Sequence, residues 1–223
     1  MSRTPSRTLV MLSACVGALA LPAVASVASA QQPAAPLPRA NTEKLMLSLS
    51  LGGASISSDE FEDERESGGG FSLEAGWGFT RSFTLLVDAS GSVLGDDDDE
   101  FVLIHFDLLG RWNFASPQRA WVPFIEGGIS ARVAGQDDIE VVDEEGGASQ
   151  EVDLEISGGG FTFGGGIQYH VAPAWALGAG LKWTVGEFST VKVNNVSVDG
   201  FELDATSTRL NFGVTWRPML PRR

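Results

Sequence analysis

The feature that most constrains this chain is a two-residue alternation that recurs eight times after Glu43 and never puts a charge on its apolar phase. A period of two belongs to a β-strand with two unlike faces. Leu45, Leu47, Leu49 and Leu51 open the series. Phe71, Leu73, Ala75, Trp77 and Phe79 follow, then Phe83, Leu85, Val87 and Ala89, then Val102, Ile104, Phe106, Leu108 and Trp112. A fifth run spans Trp121 to Val133 with Ile125 and Ile129. A sixth carries Phe161, Phe163, Ile167 and Tyr169, a seventh Trp175, Leu177, Leu181, Trp183 and Val185, and the eighth Leu210, Phe212, Val214 and Trp216. Charged residues within the runs, from Glu74 to Arg217, fall on the opposite phase. A soluble sandwich or a lipocalin-type barrel shows the same alternation, with the apolar phase turned inward.

Three further features favour the apolar phase facing lipid. Connections alternate long and short. The short ones are Thr80–Ser82, Ala115–Ala120 and Ala172–Ala174, and the long ones fall near 57–68, 95–100, 134–158 and 188–205. Short turns on one side and longer loops on the other characterise outer-membrane barrels. Aromatic residues gather beside the short turns or the chain end: Trp77, Phe79, Phe83, Trp112, Phe114, Trp121, Tyr169, Trp175 and Trp216. Rings of this kind prefer the headgroup level, so they read as a girdle. Charge is also sorted by end. The four long connections hold 23 of the 29 acidic residues and only Arg65 and Lys192 as bases, while Arg81, Arg119, Arg217, Arg222 and Arg223 mark the other end.

The N-terminus reads as an export signal. Arg3 and Arg7 precede an apolar run from Leu9 to Ala28, and Ala28-Ser29-Ala30 forms a small-residue cleavage site. A lipobox-like reading around Leu12-Ser13-Ala14-Cys15 competes, but it leaves too short an apolar stretch before the cysteine. Cleavage after Ala30 removes the one Cys and two Arg, leaving 13 basic against 29 acidic residues. No disulfide is then available, and the acidic balance argues against nucleic-acid binding. No later stretch reaches the roughly 18 apolar residues of a membrane helix. The expected organisation is a signal peptide at 1–30, a Pro/Ala-rich disordered lead-in at 31–43, an all-β, eight-stranded antiparallel transmembrane barrel at 44–218, and a tail at 219–223. The expected destination is the outer membrane of a Gram-negative bacterium.

Between Leu45 and Trp216 the chain resembles the OmpA/OmpX-like eight-stranded outer-membrane barrels. The stretches that carry the resemblance are Trp121–Ile129 (WVPFIEGGI), the Gly-rich run 160–167, and Leu210–Trp216 (LNFGVTW), a loose match to the family's assembly signal. The chain runs on past Trp216 where such proteins usually end on an aromatic residue. The resemblance implies insertion by the barrel-assembly machinery, contact with lipid and lipopolysaccharide, and surface adhesion through an exposed strand edge.

With apolar residues toward lipid, the lumen receives Glu74, Asp88, Asp107 and Glu126 with Arg111, Arg132, Lys182 and Arg209. A barrel this narrow has room only for side chains, and buried charges need partners. A plug of mutually paired side chains is therefore expected, with a narrow ion path as its functional alternative. Gly76, Gly78, Gly164, Gly166, Gly178 and Gly180 are expected to make room for the long basic chains. His105 and His170 share the lumen phase but belong to opposite ends. His105 with Asp107 is the one candidate catalytic dyad, as a lipid A-modifying barrel would use, but no Ser is placed by sequence to complete it. Asp96, Asp97, Asp98, Asp99 and Glu100, like Asp59–Glu64, are dense in carboxylate oxygens suited to hard cations. They lack the Gly turn and closing Glu of a calcium loop, so a weak divalent-cation loop is the functional reading, a solvated acidic surface is the plainer one, and no cofactor is implied. Ile139–Val142 with Val152–Ile156, and Val191–Val193 with Val196–Val198, read as hairpins that carry the strands beyond the bilayer. The functional expectation is a monomeric, non-enzymatic surface-interaction barrel with acidic outer loops.

Overall fold

A computed structural model describes residues 40–58, 65–95, 100–116, 119–142, 149–193 and 196–218. The expected signal peptide, residues 31–39 of the lead-in, the acidic runs at 59–64 and 96–99, and the tail at 219–223 lie outside the described residues. The strands are β1 (Lys44–Ser58), β2 (Arg65–Gly78), β3 (Phe83–Leu94), β4 (Phe101–Asn113), β5 (Trp121–Val142), β6 (Ser149–Ala172), β7 (Trp175–Val193) and β8 (Val196–Trp216). Each pairs antiparallel with the next. β1 also pairs with β8, from Leu47↔Trp216 to Ser58↔Ala205, and this closes the sheet. Closure leaves no open sheet edge around the ring of paired strands, which hydrocarbon requires.

The two phases of the alternation go where a bilayer would send them. Leu47, Phe106 and Val214 are 38%, 54% and 41% exposed, whereas Asp107 and Lys182 are 1% and 3% exposed. Water would impose the opposite sorting, because charged residues are almost never fully buried in soluble proteins unless paired. The soluble-sandwich and lipocalin-type readings both require Leu47, Phe106 and Val214 inside, and neither fits this wall.

Wall height is uneven. β1–β4 run 12 to 15 residues, while β5–β8 run 19 to 24. The β4–β5 ladder stops at Val102↔Gly135, and the β8–β1 ladder stops at Ser58↔Ala205. Beyond those rungs β5–β8 continue as a four-stranded sheet, with β5–β6 paired to Val142↔Ser149 and β7–β8 to Val193↔Val196. The long connections expected at 134–158 and 188–205 are thus mostly strand, and 143–148 and 194–195 lie outside the described residues. In this stretch acids fall on both phases of the sequence (Asp137 and Asp138 are adjacent), so the two-residue period disappears although the strand continues.

Candidate functional site: the barrel lumen and its two ends

The register puts like charges side by side on the wall. Glu74 faces Asp88 across β2–β3, Asp88 faces Asp107 across β3–β4, and Lys182 faces Arg209 across β7–β8. Such neighbours repel within a sheet. The barrel turns this into attraction by closing, since the acidic wall of β2–β4 then looks across the lumen at the basic wall of β7–β8. Lys182 Nζ donates to Asp88 Oδ2 at 2.8 Å and to Glu74 Oε1 at 2.9 Å, and lies 3.8 Å from Glu126 Oε1. Arg209 Nη2 donates to Asp107 Oδ2 at 2.7 Å, and its Nη1 lies 3.5 Å from Asp88 Oδ2. Arg111, on β4, binds two of the same carboxylates. Its Nε donates to Glu126 Oε2 at 2.7 Å and its Nη2 to Glu74 Oε1 at 2.8 Å. Hydroxyls complete the coordination: Ser72 donates to Asp88, Ser130 and Thr162 donate to Asp107, and Ser90 and Thr184 accept from Arg209. Low dielectric makes each strut electrostatically strong and makes any unpaired member costly.

Of the eight charged residues expected in the lumen, the structure brings seven into this lattice. Arg132 stands apart. Its Nη1 donates to the Ala205 carbonyl at 2.9 Å and its guanidinium stacks 4.7 Å from the Phe188 ring centroid. Its Nε and Nη2 have no hydrogen-bond partner, and among the described residues it forms no ion pair with a carboxylate. Stacking on an aromatic face is a recognised resting place for a desolvated cation.

Several lumen residues carried no signal in the charge pattern. Ala54, Leu94, Leu103, Ala134, Phe188, Leu203 and Ala205 form a buried apolar cluster at the outer end of the lumen. Met46, Leu86 and Leu109 form a smaller one toward the short-turn end. Arg217 is buried there and donates from Nη1 to the Thr42 carbonyl at 2.9 Å. The alternation alone placed Arg217 inward, but its partner lies in a segment with no period. The lumen glycines mostly serve other purposes than expected. A Cβ on Gly166 would come within 2.7 Å of the Phe124 ring, and one on Gly78 within 1.9 Å of the Thr42 carbonyl oxygen. Gly164, whose Cβ would meet Lys182 Cγ at 3.2 Å, does make room for a basic chain.

The two histidines occupy opposite ends. His105 lies within the outer half, where its Nε2 and the Ser207 hydroxyl are 2.9 Å apart across the lumen. Asp107 is engaged by Arg209, Ser130 and Thr162 instead of His105, so the candidate dyad is not assembled. Ser207 is the partner that sequence spacing could not supply, because β8 is 102 residues away. Both residues are enclosed, whereas a nucleophile acting on lipid must open to the bilayer. His170, at the short-turn end of β6, has Nδ1 3.3 Å from the Ala120 carbonyl and Nε2 3.4 Å from the Asn41 carbonyl.

On the outer wall Trp77, Phe79, Phe83, Trp112, Phe114, Trp121, Trp175 and Trp216 are exposed, and Tyr169 is half-buried. They ring the short-turn end. Trp121 and Tyr169 approach to 4.5 Å between centroids, and Trp175 and Trp216 to 6.2 Å. Glu100 lies exposed just before β4. Among the described residues no cluster of His, Cys, Asp and Glu is arranged to hold a metal ion.

A closed eight-stranded wall, greasy outside and charged within, defines an integral barrel of the Gram-negative outer membrane. The model of the outer membrane protein beta-barrel domain matches residues 16–217, and the chain belongs to that family. Among solved structures it is similar to Neisserial surface protein A (NspA), with a TM-score of 0.55 and 18% identity over 78% of this chain and 97% of that one. OprG from Pseudomonas aeruginosa gives a TM-score of 0.48 and 12% identity over 79% and 98%. Ail, the attachment invasion locus protein of Yersinia pestis, gives 0.44 and 13% over 78% and 99%. At these identities the likeness to NspA is one of fold. No match was found among curated proteins.

Proposed function

We propose that this protein is a non-enzymatic outer-membrane barrel with a plugged lumen that works at the cell surface, through its acidic outer loops and the sheet β5–β8 raises above the bilayer. The observation that carries the reading is the lumen itself. Struts from β7 and β8 reach β2, β3 and β4 across it, and an apolar cluster closes its outer end. Nothing the size of a nutrient passes such a filling. What remains for recognition is outside. Residues 136–142 of β5 and 196–204 of β8 lie beyond the last rungs to β4 and β1, which leaves backbone edges suited to pairing with an added strand.

The aromatic ring at the short-turn end would seat at the periplasmic headgroups, and the acidic loops would meet lipopolysaccharide, whose phosphates divalent cations can bridge. The chain acts as a monomer, delivered by a cleaved signal peptide and inserted by the assembly machinery, with a surface protein as the partner.

One observation favours a second reading. A cavity of about 40 Å³ lies within the lumen, lined by Ser48, Ser50, Gln168 and Thr215 together with Glu74, Arg111, Glu126 and Lys182. That is room for about three waters, and it would form part of a narrow ion path. Recording from the purified protein in planar bilayers separates the two. The plugged barrel gives a silent baseline, and steady unitary openings would defeat it.

A further inference from the structure

The chain does not enter β1 straight. Lys44 adopts φ 71°, a left-handed conformation that L-residues avoid unless their surroundings impose it. The bend turns Asn41–Glu43 under the barrel. Thr42 is fully buried. Its hydroxyl donates to the Arg81 carbonyl in the β2–β3 turn at 2.6 Å, and its own carbonyl accepts from Arg217 after β8. One residue earlier, the Asn41 carbonyl is 3.4 Å from His170 Nε2 on β6. β2 and β6 stand four strands apart in an eight-strand ring, so two consecutive residues touch opposite walls. Gly78 permits the crossing, because any Cβ there would strike the Thr42 carbonyl. The Asn41 side chain accepts from the Glu43 amide, and Glu43 pairs with Arg81 at 3.6 Å.

We infer that Asn41–Glu43 is a strap that shuts the short-turn mouth of the lumen and separates the internal cavity from the periplasm. The line of contact is continuous. Arg217, which holds the strap, has Nη2 3.1 Å from Met46 Sδ, and Met46 Sδ is 3.9 Å from Nη1 of Arg111 in the cavity wall. The strap acts at the opposite end of the lumen from the outer apolar cluster of Leu94, Leu103 and Phe188, so it is a closure separate from that one. Its failure is distinguishable from failure of the plugged-lumen reading, which wild-type conductance tests.

The experiment uses the full chain with Cys15→Ser, so that a single introduced thiol reports. Ser50→Cys lines the cavity, and Ser92→Cys is an inward residue of β3 near the outer rim. Folded protein in micelles is exposed to a small cationic methanethiosulfonate reagent, and the labelling rate is read by mass. With the strap intact, the thiol at 50 reacts slowly. Gly78→Ala displaces the Thr42 carbonyl, and Arg217→Met removes its donor. Each accelerates labelling at 50 at least tenfold and leaves the thiol at 92 slow. Rates at 50 that stay within twofold in whichever variant retains heat-modifiable gel migration overturn the strap. So does equal acceleration at 50 and 92, which would mean general loosening.

Discussion

Arg111→Met is expected to lower the unfolding free energy by about 3–5 kcal/mol, while Arg132→Met leaves it unchanged or raises it. The two positions look alike in sequence, being inward Arg residues of neighbouring strands, but their surroundings set opposite signs. Arg111 holds Glu126 at 2.7 Å and Glu74 at 2.8 Å and lies 4.2 Å over the Phe124 ring. Methionine there keeps much of the packing and leaves Glu126 with only Lys182, at 3.8 Å. Most of the loss is therefore the cost of a stranded carboxylate. The double variant Arg111→Met, Glu126→Gln should recover part of it. Arg132, in contrast, is a desolvated cation with two unpartnered donors, seated against an aromatic ring in an apolar cluster. Removing it deletes a buried charge that forms no ion pair with a carboxylate among the described residues. Urea titration in lipid vesicles, followed by fluorescence of the six Trp residues, measures both. Equal losses at the two positions would mean that the cross-lumen pairs contribute no more than the unpaired cation does.

Phe106→Arg has the second large expected effect. Phe106 sits mid-way along β4 on the outer face. At the bilayer midplane an outward Arg costs about 2–4 kcal/mol in a barrel wall. The same change at an exposed position of a soluble protein usually falls within about 0.5 kcal/mol. The expected result is a stability loss of the larger size in vesicles, with Phe106→Leu close to wild type. A loss below about 0.5 kcal/mol for Phe106→Arg would place that residue in water.

Why some of this was legible in sequence and some not follows from which solvent enforces the pattern. Where lipid touches one face and the lumen the other, every second residue is constrained, so the inward set from Glu74 to Arg209 could be read off the chain. The partners could not. Lys182 meets Asp88 over a separation of 94 residues because of the barrel's stagger, and alternation says nothing of stagger. Leu94, Leu103 and Phe188 lie on the inward phase, where an apolar residue only blurs the contrast, so the alternation gives no sign of the outer cluster. Beyond Gly135 acids occupy both phases and the period is lost, so the continuing strands carry no alternation to read. The strap had no periodic signal at all. Its structure depends on Lys44, Gly78, Arg81, His170 and Arg217, which are scattered through the chain and meet only once the barrel closes.

The assignment of faces is tested most directly by nitroxide accessibility along β8 in lipid vesicles. Labels at Leu210, Phe212 and Val214 should collide readily with oxygen dissolved in the bilayer and poorly with a water-soluble nickel chelate. Labels at Asn211 and Thr215, whose native side chains line the internal cavity, should be shielded from both. Chelate-accessible labels at Asn211 and Thr215, with Leu210, Phe212 and Val214 shielded from oxygen, would contradict an outer wall of acyl-facing side chains around an enclosed charged interior.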